Sequence, residues 1–506
     1  MSLLTTLARA EAVRAGRAQP VATVRHRHLS GRPLVLVPLT AAGEAAAPLG
    51  AMVGTDRDAP VLLTVRQPRD RDLRFGFLAR LADVVLPYLE SYADDVDTEL
   101  RKGEELEVCA DAPQILVPSV PGVDYVRLLG RSMRFRRTAE EDPDTPFPAP
   151  PRVPLLGRWL THYAERARTP GSSLLLAMTE LLGRHWATGQ SQLEDQHLGA
   201  LLAWIRGGDP EEVERGRDAS GQLLTPPAGP ATDPAFDNRL LAKATARFDA
   251  GIPGSGDEID ALLASQLRPT WDAVWEGVTL LRELAPGTRV PDRWTGDRWS
   301  YTGHRDRLRA GEPPQPRRDD ATTAARKLAS RERAQAELAA GEALDDPLVM
   351  ASRRLAGEAF AGTVTGVEMA MSEGRSPRPR PLVVLETDDE PYLDPGVKAH
   401  RVLATGKTQT AEVVETGADA DGPGPRTVVL RLTSGMGRGK TPEEGSLPEP
   451  GDALCFTLFE HTARSGAKLP DPDDTPWTHG GPPSAAPADG PRPAEAPDPV
   501  TAEDFL

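Results

Sequence analysis

Pro381-Leu382-Val383-Val384-Leu385-Glu386-Thr387 is a run of aliphatic and β-branched residues that leads into Asp388-Asp389-Glu390. Working outward, Ala361–Met369, Lys398–Thr405, Thr410–Glu415 and Thr427–Thr433 also have strand character, and Ala453–Glu460 adds a sixth run. The separators Ser376-Pro377-Arg378-Pro379, Asp394-Pro395-Gly396, Gly422-Pro423-Gly424-Pro425 and Glu449-Pro450-Gly451-Asp452 carry turn chemistry. Short strands at near-regular spacing, with no helical pattern between them, predict a small antiparallel β-barrel or sandwich over 356–463.

Upstream of this region the pattern changes. Residues 1–139 alternate strand-like runs (Val21–His26, Pro33–Leu39, Pro60–Val65) with an amphipathic helix at Arg74–Tyr92, which predicts an N-terminal α+β domain. A charged, proline-rich linker, 140–154, closes it. Residues 155–288 read as a helical middle domain interrupted by a disordered loop, 207–237, whose length without internal structure is unusual inside a compact domain. A connector and charged helix, 289–355, leads into the barrel region. The tail, 464–506, is rich in Pro, Ala and Asp and is expected to be a disordered acidic segment.

Composition bounds the function. The 506 residues have room for about three domains, and the 50 prolines and 46 glycines imply folded pieces joined by irregular connectors. Arg outnumbers Lys 52 to 7, a GC-rich coding signature that is no argument for nucleic-acid binding by itself. The formal charge is -16, of which Asp471–Leu506 carries -7, so a local basic face remains compatible with the acidic total. Cys109 and Cys455 lie far apart and read as free thiols of a reducing cytoplasm. The start, Met1–Arg9, lacks the apolar core of a secretory signal, and no window has 18 uninterrupted apolar residues, so a cytoplasmic protein without a membrane span is expected.

Several motifs invite chemistry. Ser434-Gly435-Met436-Gly437-Arg438-Gly439-Lys440-Thr441 resembles a phosphate-binding loop, but Ser434 stands in place of the first glycine and Pro442, Gly445, Pro448 and Pro450 forbid the helix such a loop must open. What remains is a loop whose Arg438 and Lys440 can meet a phosphate backbone without catalysis. His26-Arg27-His28, His162, His185 and His197 lack metal-ligand spacing and read as surface or half-buried side chains, so no metal and no cofactor is expected. Asp388-Asp389-Glu390 is the one acidic run with any claim to a divalent cation. The segment Arg293-Trp294, Arg298-Trp299 and Arg305 interleaves aromatic rings with guanidinium groups, the pattern that stacks on unpaired bases while pairing with phosphates. Arg293, Trp294, Arg298, Trp299, Arg305, Arg438 and Lys440 are therefore the candidate nucleic-acid contacts.

The runs Pro381–Thr387 and Gly451-Asp452-Ala453-Leu454-Cys455-Phe456 resemble the accessory β-barrels of superfamily 1 helicases over about 100 residues. That resemblance implies a part that helps a helicase hold its strand, with the motor on a separate chain. The resulting expectation is a non-enzymatic accessory or adaptor protein. The alternatives are an enzyme whose site is assembled from distant residues and a purely structural protein-binding scaffold.

Overall fold

The computed structural model describes residues 2–462, apart from 102, 220, 320, 374–376 and 418–425. The expected tail, 464–506, and the turn Gly422–Pro425 lie outside the described residues. The chain is a mixed α+β protein of two compact units. One unit holds 11–19 and 25–334, the other 2–10, 20–24 and 335–462. The expected boundaries near 139, 154 and 288 do not separate units.

The larger unit is built on a five-stranded mixed sheet. Its strands are β1 (Leu34–Ala41), β2 (Glu44–Gly54), β3 (Val61–Thr64), β6 (Ile115–Val117) and β7 (Leu175–Ala177), while β4 (Val96–Arg101) and β5 (Glu104–Cys109) form a separate ribbon. The order is β3-β2-β1-β6-β7, antiparallel through the two hairpins and parallel from β1 to β6 and β7. β1 reads Leu-Val-Leu-Val-Pro-Leu-Thr-Ala, an apolar run of the kind a strand covered on both faces requires. Leu34 and Leu36 face one core, packed with α1 (Arg71–Glu90), α2 (Val120–Met133), α3 (Val153–Ala167) and α5 (Val290–Arg309). Val35, Val37 and Leu39 face a second core with α4 (Ser255–Arg282). The predicted helical domain is thus half of a helix–sheet–helix sandwich, since β7 comes from the middle of it. Inside the predicted helical domain, residues 175–177 form that strand because parallel pairing with Ile115–Val117 outweighs the local helical periodicity.

The described residues of the loop 207–237 make contacts that its composition does not announce. The loop carries the short helix Pro210–Arg215, and its segment 228–232 lies beside the carboxyl ends of the parallel strands β1 and β6. Thr40 N donates to Pro230 O at 2.7 Å, Thr232 N to Thr40 O at 3.0 Å and Ser119 Oγ to Gly229 O at 2.8 Å. The crevice at the strand ends, a common ligand position in open α/β sheets, is here filled by the chain itself.

The smaller unit is a closed six-stranded antiparallel barrel. Its strands are β8 (Ala359–Glu368), β9 (Leu382–Thr387), β10 (Lys398–Val402), β11 (Thr408–Gly417), β12 (Arg426–Leu432) and β13 (Ala453–Thr457), ordered β8-β9-β12-β11-β10-β13 with β13 closing on β8. Phe360, Val364, Val383, Leu385, Val413, Leu430 and Phe456 fill its interior. Bulges at Val364/Gly366 and Val413/Glu415 bend the two longest strands, as closure requires. The helix α6 (Ala321–Asp345) carries the chain into this unit, and α7 (Pro347–Leu355) precedes the barrel. Asp346 caps α7 through Leu348 N at 2.9 Å and also accepts from Thr23 N, Thr23 Oγ1 and Val24 N at 2.6, 3.0 and 3.3 Å. Among the described residues no helix is long and apolar enough to cross a membrane. Both cysteines are free thiols, Cys109 buried and Cys455 half-buried.

Candidate nucleic-acid interface

Five of the seven predicted contact residues fall on α5, a helix that buries one face and exposes the other. Trp294, Asp297, Tyr301, His304 and Arg305 recur at helical spacing and are buried. The Trp294 ring stacks on His28 with centroids 3.9 Å apart, and its Nε1 donates to Asp111 at 2.8 Å. Arg298 donates to Cys109 O at 2.9 Å and pairs with Asp97 and Glu99 at 2.8 and 3.2 Å. Trp299 Nε1 donates to Glu99 at 2.9 Å, and Arg293 donates to His26 O at 3.0 Å. Arg305 donates to Ala93 O at 2.6 Å and to Cys109 Sγ at 3.0 Å. The aromatic and arginine side chains of α5 expected to meet bases are engaged within the unit by the ribbon β4-β5 and the segments around it.

The histidines are likewise packed. His26, His162 and His185 are buried, where sequence predicted surface or half-buried positions. His162 and His304 stack in parallel at 4.2 Å. Burial pushes His304 down to about 3, with Arg307 and Arg158 adding to the effect, and burial pushes His28 down to about 4, with Asp111 opposing and Arg25 adding. Both rings are therefore neutral at physiological pH. Among the described residues no group of three His, Cys, Asp or Glu side chains is placed to hold a metal ion.

In the barrel unit, Arg438 and Lys440 are exposed on the irregular connection between β12 and β13. Gly435 and Gly437 take φ of +82° and +84°, and a Cβ on Gly435 would lie 2.8 Å from that of Gln409, so the glycines serve a tight loop. No helix opens after Lys440, and the phosphate cradle is not formed. Asp389 is occupied by Arg354 at 2.6 and 3.0 Å and by Ala361 N at 2.7 Å, a brace between α7 and β8. Thr457 Oγ1 lies 2.9 Å from His461 Nε2 beside a cavity of about 420 Å³, but the hydroxyl also donates to Phe459 O at 2.9 Å, a structural engagement rather than an activated nucleophile.

The arginines that do converge are others. A cleft of about 280 Å³ in the larger unit is lined by Arg131, Arg134, Arg168, Arg317, Lys327 and Arg331, against two acids, Glu165 and Asp319. Its walls come from a glycine-mediated contact between antiparallel helices. A Cβ on Gly130 would sit 2.5 Å from Thr161 N, and one on Gly157 would sit 2.5 Å from Arg134 N, so α2 and α3 touch backbone to backbone. That contact sets Arg131 and Arg134, at the end of α2, beside Glu165 of α3. The third wall is 315–331. Arg134 Nε donates to Gln315 O at 2.9 Å and Arg131 Nη2 to Arg317 O at 3.1 Å, while Arg331 pairs with Glu165 at 3.0 Å and Lys327 with Asp319 at 2.6 Å. Next to Arg134 in the chain, Phe135 is 40% exposed, with the guanidinium groups of Arg134 and Arg317 at 4.6 and 5.4 Å from its ring.

This cleft had a sequence signal that composition obscured: Arg127, Arg131, Arg134, Arg136 and Arg137 crowd around Phe135 within eleven residues. In a chain with 52 arginines the cluster stands out only once the partners from 165–168 and 315–331 are placed beside it. Comparison with known protein families, curated proteins and solved structures finds no match.

Proposed function

We propose that this protein is a non-catalytic accessory protein that holds single-stranded nucleic acid for a separate processing enzyme such as a helicase, using the arginine cleft beside Phe135. The observation that carries this reading is the convergence, among the described residues, of six basic side chains against two acids in one small cleft of a chain whose total is -16. A cleft of that size suits one or two phosphate groups, and an exposed ring at its rim supplies a sequence-tolerant platform for a base. Arginine geometry favours bidentate capture of phosphate oxygens.

The test is fluorescence anisotropy of the full chain with a labelled oligothymidylate of about twenty nucleotides, across a salt series starting near 50 mM. One or two neutralised phosphates give a log–log salt slope of about -0.7 to -1.4. Phe135→Ala should weaken binding by roughly fivefold or more, the loss of one stacked base. Arg168→Glu should weaken it further at low salt and flatten the slope. Absence of binding at low salt, or equal affinity of both variants and the parent, would sink the reading.

A further inference from the structure

The largest of the cavities described for the larger unit, about 640 Å³, lies away from the arginine cleft and has the opposite charge. One wall is a single helical stripe. Residues Asp237–Leu241 form a π-helical turn that runs into the α-helix Ala242–Asp249. The side of this helix that faces the cavity carries Asp237 at one end and Asp249 at the other, with Asn238, Leu241, Ala242, Thr245 and Ala246 between them. Twelve residues of helix set the two carboxylates about 18 Å apart along the groove. The facing wall is the turn Ala41–Glu44 together with Gln67, Pro68 and Arg69.

Both terminal carboxylates are oriented by the protein and keep acceptor capacity. Asp237 accepts from Ala42 N at 2.8 Å and Thr232 Oγ1 at 2.7 Å, one bond on each oxygen, and Asp249 accepts from Gln67 Nε2 at 3.0 and 2.8 Å. Each carboxylate oxygen has room for a second donor. The single cation of the lining, Arg69, is matched by Glu44 at 2.8 Å, which leaves the groove with a net charge of -2. Asp237 is also the first residue of the π-turn, a rare form that is frequent at functional sites.

We infer that this groove binds a linear aliphatic polyamine, an ammonium group held at each end by Asp237 and Asp249 and the methylene chain laid over Ala242 and Ala246. The charge disfavours anionic ligands, and Ala242 and Ala246 between the two carboxylates offer small apolar groups on which a methylene chain can lie. An extended tetraamine spans a length comparable to the separation of the two carboxylates, whereas a short diamine reaches only one of them.

Isothermal titration calorimetry of the full chain with spermine, putrescine and a neutral glycol of similar length tests this. Spermine should bind more tightly than putrescine, and the glycol should give no heat of binding. Asp249→Asn, at an exposed position, should weaken spermine by about five- to tenfold. Ala246→Arg, also at an exposed position, should abolish binding by filling the groove, with melting temperature as the check that both variants fold. If Ala246→Arg fails to fold, Asp249→Asn decides alone. Spermine affinity unchanged in the variants would overturn the assignment, since that is what ionic adsorption on the acidic 471–506 would give; so would no binding at millimolar spermine.

Discussion

Protonation of single packed rings, buried His304 and half-buried His28, makes the larger unit sensitive to mild acid. His28 is held neutral between Trp294 and its surroundings at a value of about 4, and His304 at about 3, against 6.5 for an unperturbed imidazole. Between those values the unfolded chain binds more protons than the folded one, so the folded state is at full strength above about pH 6.5 and loses stability steadily as the pH falls towards 4 and then 3. Urea midpoints measured from pH 7 to pH 4 should fall across that window. In His28→Gln, which keeps a planar polar group against Trp294, the fall should be shallower by the share His28 contributes; an unchanged slope would mean that His28 is not a source of the pH dependence. Asp297 is a residue of the same kind whose partners compensate its burial. It sits 1% exposed, accepts from Ser172 Oγ, Ser173 N and Arg166 at 2.7, 2.6 and 3.0 Å, and burial still pushes its carboxyl above the usual range.

At the scale of elements, the contact between α2 and α3 is the joint on which the arginine cleft depends. Gly157→Ala puts a methyl against the backbone of Arg134, and the helices must part by several tenths of an ångström or more. The expected cost is about 1–3 kcal/mol in urea unfolding, together with weaker oligonucleotide binding, because Arg131 and Arg134 move away from Arg331. A variant with parental stability and affinity would show that the close approach is dispensable. How far such joints are legible in sequence differs between the two units. The barrel strands were readable to within a few residues, because each run is flanked by Pro and Gly turns and pairs with neighbours under the same alternation. β2, with its Ala-Ala-Ala-Pro start, and the two-faced β7 were not, because burial on both sides erases the alternation that marks a strand. α5 failed in the opposite sense: Trp and Arg at close spacing describe an interface, but nothing local distinguishes an interface with nucleic acid from one with the chain's own ribbon. The arginine cleft was hidden for a related reason, since its walls come from 131–134, 161–168 and 315–331, and sequence proximity does not convey that α2 and α3 run antiparallel in contact.

At the scale of the whole molecule, the course of the chain matters more than the number of units. Residues 2–10 and 20–24 belong to the barrel unit, while 11–19 belong to the other, so no single cut releases either unit intact. Removing residues 1–24 should therefore loosen a helix more than 300 positions downstream. The amides near the start of α7, which Asp346 organises, should exchange hydrogen faster in the truncated protein, and the barrel's melting temperature should drop by a few degrees. Unchanged exchange at Leu348–Ser352 would show that the bonds from Thr23 and Val24 contribute nothing to that end of the unit. The same bond from Thr23 to Asp346 sets a clock for biosynthesis. Its two ends are separated by 323 residues, and at about 5–20 residues per second the ribosome needs roughly 16–65 s to deliver the second after the first. For that interval Thr23 and Val24 have emerged without the carboxylate that later accepts from their amides, and the preceding helix Leu3–Ala15 exposes Leu3 and Leu7.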